Sequence, residues 1–230
     1  MTPIAINIQN LQTDLIGYPA EKKNIVVNGL IDGFKYDLRY LPTSSFECRN
    51  LRSCTVTFPG EASRLLQLEM DKGYVMGPYE QPPEIPYRVN PLGVVEGKYS
   101  GKRRLIMDMS APHEMADTES INELMSKEYY SLSYVKLDDA IKAIQMYGPG
   151  AWLCKTDIAD AFKQLPLHPT LWPYHVVKLE NKYYCYTRLV FGSRASPKLF
   201  DTFASAVAWI LENKYSLGPV LHLLDDFLLV

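Results

Sequence analysis

The stretch Leu221-His222-Leu223-Leu224-Asp225-Asp226-Phe227-Leu228-Leu229-Val230 sets two adjacent carboxylates inside an otherwise apolar run. A run this short, entered from Gly218-Pro219, reads as buried strand, and the acidic pair in its middle predicts a tight strand-turn-strand hairpin with both acids at the tip. A turn relaxes the alternation of a straight strand, so both carboxylates can approach one site, and such a site would want a cation. Acidic residues also make turns for their own sake. A third carboxylate elsewhere has to decide between the two readings.

That carboxylate is found upstream. Ala151-Trp152-Leu153-Cys154-Lys155-Thr156-Asp157-Ile158 reads as a largely apolar strand ending in an acid, followed by Ala159-Asp160-Ala161-Phe162. A strand that brings Asp157 beside the Asp225-Asp226 hairpin assembles three acids from adjacent strands. Two like charges at ~4 Å repel by ~4 kcal/mol at an effective dielectric of 20, a penalty that bound divalent cations remove. Oxygen-only ligands suit Mg²⁺ or Mn²⁺, whereas His113, His168, His175 and His222 have no zinc-like spacing.

Further out, residues 93–109 form two apolar runs around a Gly-containing polar tip, a β-hairpin whose tip and return strand carry Lys98, Lys102, Arg103 and Arg104. That concentration of charge either neutralises phosphate or simply solvates a hairpin end. Residues 60–73 and 138–147 have helical spacing with glycines placed to stop them. Prolines 78, 82, 83, 86 and 91 impose an extended crossing that suits a subdomain boundary. Residues 175–189 read as a hairpin turning at Glu180-Asn181-Lys182. Phe191-Gly192-Ser193-Arg194-Ala195 is a turn into a long helix with Ser196 as N-cap, Pro197 at the first helical position, and Leu199, Phe200, Phe203, Val207, Ile210 and Leu211 buried. The first 35 or so residues show no sustained periodicity.

The 230 residues are 47% hydrophobic, enough for a substantial core. A formal net charge of −2 provides no global basic field, so nucleic-acid contact would need local Lys and Arg clusters. Cys48, Cys54, Cys154 and Cys185 form no C-x-x-C pair, which favours a reducing, intracellular setting, cytoplasmic or nuclear. The start of the chain has no basic n-region, and no apolar run approaches a membrane span, so no membrane partner is expected.

Taken in order, these motifs resemble the reverse transcriptases of retroelements over roughly residues 40 to 230. Arg103-Arg104-Leu105-Ile106-Met107-Asp108 is similar to the fingers hairpin, Asp157-Ile158-Ala159-Asp160-Ala161-Phe162 to motif A, Phe191-Gly192-Ser193-Arg194-Ala195-Ser196-Pro197 to motif B and Leu224-Asp225-Asp226 to motif C. Four motifs in the family's order leave coincidence remote. The texture of Asn90-Pro91-Leu92-Gly93-Val94-Val95 and Leu224-Asp225-Asp226-Phe227-Leu228 is similar to tyrosine-recombinase (DIRS-type) retrotransposons, with Gypsy-type elements second.

The resemblance implies an α+β right-hand polymerase: residues 1–35 as an N-terminal extension, and 36–230 as fingers and palm, cut just after motif C. It implies RNA-directed DNA synthesis, in which a primer 3′-hydroxyl attacks a dNTP on an RNA or DNA template by a two-metal mechanism with Mg²⁺ or Mn²⁺. By position, Asp157 and Asp225 would bind both metals, with Asp226 alongside and the Ile158 carbonyl as a backbone ligand. Arg104, with Lys98 or Lys102, would grip the triphosphate. Phe162 would lie under the sugar, and Gly192 would let template and nucleotide approach closely.

The chain departs from the pattern at Leu223, where the family has Tyr or Phe, and at Val190, where it has Pro. The sequence also stops four residues after Asp226, with the returning strand barely present. A thumb and an RNase H or recombinase domain are accordingly expected downstream in a complete element, and this piece alone is expected to hold primer-template poorly and to be inactive. Two alternatives remain: an RNA-directed RNA polymerase, which shares the palm acids, and a captured or decayed copy acting only as a binding or structural module.

Overall fold

The computed structural model describes residues 6–113 and 118–230, so residues 1–5 of the expected N-terminal extension lie outside the described residues. In chain order the elements are α1 (Ile8–Asp14), α2 (Ala20–Asp32), β1 (Phe46–Glu47), α3 (Glu61–Asp71), β2 (Val75–Tyr79), β3 (Arg88–Val89), β4 (Leu92–Glu96), β5 (Arg103–Met107), α4 (Leu137–Tyr147), β6 (Cys154–Asp157), α5 (Ala161–Gln164), β7 (Val176–Leu179), β8 (Lys182–Tyr186), α6 (Ser196–Lys214), β9 (Val220–Leu223) and β10 (Asp226–Leu229). The fold is mixed α+β. Its strands fall into a five-stranded sheet in the order β1-β3-β7-β8-β2, a three-stranded sheet β6-β10-β9, and the two-stranded hairpin β4-β5.

Local chemistry accounts for most of the boundaries. Helix α3 ends in a double closure: Gly73, at φ +70°, donates its N–H to the Met70 carbonyl, and Tyr74 donates to Glu69. The β7-β8 hairpin turns on Glu180 and Asn181, both with positive φ, as a two-residue loop matching the strand twist demands. Helix α6 begins one residue earlier than its sequence signals. Ala195 is the N-cap, and the hydroxyl of Ser196 is buried without a hydrogen-bond partner instead of capping the helix. Phe200, Phe203, Ala204 and Ile210 form the buried face of α6.

Residues 6–35 are not a loose appendage. Leu11, Leu15, Val26, Leu30 and Phe34 join the same core cluster as Phe200 and Phe203, while Tyr18 packs on Trp209 of α6 with ring centroids 5.3 Å apart. Pattern reading missed α2 because its apolar residues wrap around the helix: Val26 and Leu30 are buried, yet Ile25 and Ile31 face outward. The same core runs beneath both larger sheets, and the proline-rich crossing joins β2 to β3 within the five-stranded sheet, so it marks no division of the core. All four cysteines are free thiols. Among the described residues no helix is long and apolar enough to cross a membrane.

Candidate active site

The site is built from β6, β9 and β10. In the antiparallel register Asp226 pairs with Asp157 on one side and with Leu223 on the other, which leaves Leu224 and Asp225 as the two loop residues of the β9-β10 hairpin. The turn is therefore one residue earlier than expected, and Asp226 is the first residue of the four-residue returning strand β10, which is central in its sheet. Leu224 takes the left-handed conformation at φ +55°, which costs a bulky residue ~1–2 kcal/mol. The N–H of Ile158 donates to the Asp225 carbonyl at 3.0 Å, stitching the segment after β6 onto the tip of the hairpin.

Asp157 and Asp225 consequently line one cleft of about 540 Å³. Asp226 does not join them. Its carboxylate pairs with Lys155 at 3.0 Å, beside a separate, mainly apolar hollow. The expected convergence of three acids is therefore two acids and a neighbour: the register sets Asp226 directly across from Asp157, and the ion pair with Lys155 draws its carboxylate aside. Lys155 and Asp157 share one face of β6, so an Asp226 directly across from Asp157 has a cation diagonally within reach. Strand β6, read from its sequence as a largely apolar strand ending in an acid, is an exposed edge strand, with Trp152 88% exposed just ahead of it.

Burial pushes the pKa of the Asp225 carboxyl up, and the nearby charges of Asp157 and Asp226 push it further, with Arg104 opposing them. A half-buried carboxylate under the repulsion of neighbouring carboxylates fits a hard divalent cation, which takes oxygen ligands. Asp157 and Asp225 would be the holders. The Ile158 carbonyl, expected as a further ligand, already accepts the Ala161 N–H at 3.3 Å. Among the described residues no group of three or more His, Cys, Asp or Glu side chains forms a ready cation site.

The other walls come from α3 and its cap (Leu65, Leu68, Glu69, Lys72), from Lys102, Arg103 and Arg104 of the β4-β5 hairpin, and from Phe191. The three basic groups of the hairpin differ in freedom. Arg103 is engaged, bonding Glu96 at 2.8 Å and lying 4.4 Å over the Phe58 ring. The side chains of Lys102 and Arg104 make no hydrogen bond or ion pair among the described residues. Lys98, expected as an alternative partner of Arg104, stands at the hairpin tip against the exposed Tyr99 ring and does not line the cleft.

Two expected nucleotide contacts are placed differently. Phe162 is only 6% exposed, its ring 4.8 Å from Phe191 and 5.6 Å from Phe200, so it belongs to the core. The aromatic side chains that line the cleft are Tyr74 and Phe191, with Phe162 behind Phe191. Gly192 is glycine for the protein's own sake. At φ +108°, a Cβ there would lie 1.8 Å from the Met107 carbonyl oxygen, and Met107 donates its N–H to the Phe191 carbonyl at 3.2 Å. Asn122 locks the same corner, donating to the Gly192 carbonyl at 2.8 Å and accepting from the Arg194 N–H at 2.8 Å. This corner fixes β5, and with it Arg104, against the turn at Phe191-Gly192.

Sequence reading did not assign Lys72, Tyr74 or Asp160. Lys72 Nζ lies 2.5 Å from Asp160 Oδ2, and the Tyr74 hydroxyl donates to the same oxygen at 3.1 Å. Lys72 holds the Asp160 carboxyl below its ordinary range. No local pattern signals a pair 88 residues apart. Deeper in the cleft, Lys163 is buried against Glu69 at 3.1 Å and over the Tyr186 ring at 4.0 Å, and burial lowers its pKa.

No protein-family model matches the chain, and no curated protein matches it. Solved structures do. The protease-reverse transcriptase of prototype foamy virus, as a selenomethionine-labelled CSH mutant, superposes with a TM-score of 0.54 at 15% identity, covering 99% of this chain and 29% of that one. The native form of the same viral protein gives 0.52 at 17% identity, over 98% and 29%. The chain thus spans about 29% of the length of these neighbours. At such identity the likeness shows the fold alone, a reverse-transcriptase-like polymerase fold.

Proposed function

We propose that the chain is the fingers-palm part of an RNA-directed DNA polymerase from a retroelement, the tyrosine-recombinase (DIRS-type) retrotransposons first and Gypsy-type elements second. The observation that carries this reading is the register of β6, β10 and β9. It brings Asp157 and Asp225 to one cleft, which is also lined by Lys102 and Arg104 of the β4-β5 hairpin, cations with no ion pair among the described residues.

In this reading α3 and the β4-β5 hairpin belong to the fingers, and the β6-β10-β9 sheet on α6 is the palm. The substrates are a dNTP and a primer paired to an RNA or DNA template. The primer 3′-hydroxyl attacks the α-phosphorus, and pyrophosphate leaves with the bond between the α-phosphorus and the bridging oxygen. Mg²⁺ or Mn²⁺ held by Asp157 and Asp225, with Asp226 alongside, would supply Lewis-acid stabilisation of the attacking and leaving oxygens. Arg104 and Lys102 bind the triphosphate, Arg104 as a rigid fork. Phe191, backed by Phe162, gives the sugar and base an apolar floor. The Asn122 corner holds Arg104 at a fixed distance from Asp225.

The test is dNTP binding and primer extension on an RNA template in Mg²⁺ or Mn²⁺ at low salt, where phosphate contacts are strongest. Wild type is expected to bind dNTP and to lose about tenfold in affinity on Arg104→Ala, ~1.4 kcal/mol, while Lys98→Ala leaves it unchanged. Extension, measured in a chain prolonged through the expected thumb because this piece alone is expected to be inactive, should occur in wild type and vanish in Asp157→Asn. Equal incorporation by wild type and Asp157→Asn, preference for rNTPs, or no dNTP binding by wild type counts against the reading.

A further inference from the structure

The cations Lys102 and Arg104 approach the cleft from the β4-β5 hairpin, whereas Lys72 approaches it from the C-terminal cap of α3. Its ammonium has three N–H donors, of which the contact with Asp160 uses one. The side chain is still 52% exposed, so donors remain open toward the cleft. Asp160 itself sits at φ +56° at the N-cap of α5, yet its carboxylate makes no cap bond. It reaches across to Lys72 and Tyr74, and Lys102 also acts on it electrostatically. One carboxylate therefore stands between lysines from two separate elements. An exposed pair of this kind contributes little to stability, but it holds a long flexible lysine extended into the cleft.

We propose that Lys72 is a phosphate-binding residue of the cleft, held in position by Asp160 until a polyphosphate takes Asp160's place. The occupant of this side of the cleft is the outer, β- and γ-phosphate end of the nucleotide, bound jointly by Lys72 from α3 and by Lys102 and Arg104 from the hairpin. The inference rests on the nucleotidyl-transfer reading for the identity of the ligand, and on the geometry of Lys72 and Asp160 for the contact. Binding would thus tie α3 to β5 through the ligand and release Asp160 to its second partner, Tyr74.

A placeholder and a structural ion pair have different signatures. Inorganic tripolyphosphate is titrated into wild type, Lys72→Met, Lys72→Arg and Asp160→Asn by calorimetry, with thermal unfolding of each variant alongside. Lys72→Met is expected to weaken binding about tenfold, the loss of one charge-assisted contact. Lys72→Arg should stay within about threefold of wild type. Asp160→Asn is expected to bind about threefold more tightly, because a negative competitor is gone. The two deletions therefore move affinity in opposite directions.

A structural pair would instead lower the melting temperature in both variants with affinity unchanged or reduced in both, and that result overturns the proposal. So does a wild type that does not bind tripolyphosphate. If Lys72→Met does not fold, the sign of the Asp160→Asn shift decides alone. Lys72-dependent tripolyphosphate binding by a wild type that does not bind dNTP would leave this contact standing while removing the polymerase reading.

Discussion

Gly192→Ala tests whether the corner between β5 and the Phe191-Gly192 turn is a structural joint. The added Cβ would lie 1.8 Å from the Met107 carbonyl oxygen, so the β5 backbone must retreat by more than about 1 Å to reach ordinary contact. That retreat breaks the Met107 N–H bond to Phe191 and disturbs the Asn122 bond to the Gly192 carbonyl, each contributing ~1 kcal/mol. A non-glycine residue at φ +108° adds ~1–3 kcal/mol of backbone strain. The expected loss is ~3–5 kcal/mol, or roughly 6–20 °C in melting temperature for a chain of this size. Urea unfolding should show a lower midpoint with an unchanged slope. A variant within about 1 kcal/mol of wild type that has lost dNTP binding would refute this account. It would mean instead that Gly192 makes room for a ligand, as the sequence resemblance implies.

The two aromatics beside the cleft should separate stability from binding. Phe162→Ala is expected to cost ~3–5 kcal/mol by cavity formation, whereas Phe191→Ala, at a position 42% exposed, should stay within about 1 kcal/mol and weaken dNTP binding. The reverse pattern in urea unfolding and nucleotide titration would place Phe162, and not Phe191, in the cleft. Asp225 gives a pH dependence of definite sign. Its folded pKa is raised, so the native state holds more protons than the unfolded one between the two pKa values, and stability falls as pH rises through that window. In chelator, Asp225→Asn should therefore melt higher than wild type at neutral pH, and the difference should vanish below about pH 4, where the unfolded carboxyl also protonates. A pH-independent difference in calorimetric scans would mean that Asp225 feels neither burial nor its acidic neighbours.

Much of this arrangement was legible before any coordinates. Helix α3 has its closing Gly73, the β4-β5 and β7-β8 hairpins have their turn residues, and Asp157 and Asp225 share a cleft, as apolar runs interrupted by acids foretold. The failures have separate physical causes. Helix α2 has no single apolar stripe, because its outward Ile25 and Ile31 blur the periodicity. A one-residue difference in where the β9-β10 hairpin turns moved Asp226 from the tip into the strand and gave it Lys155 as partner. The depth of Phe162 and the pairing of Lys72 with Asp160 depend on contacts between distant segments, which no local pattern encodes.

The central claim is that Asp157 and Asp225 hold divalent cations together, and thermal unfolding against Mg²⁺ or Mn²⁺ tests it most directly. A ligand that binds only the native state stabilises it by ~2.7 kcal/mol at a hundredfold excess over its dissociation constant. For a chain of this length that is roughly 5–10 °C. Wild type should show this rise, and Asp157→Asn and Asp225→Asn should each abolish it while remaining folded in chelator. A rise of the same size in either variant would contradict the claim.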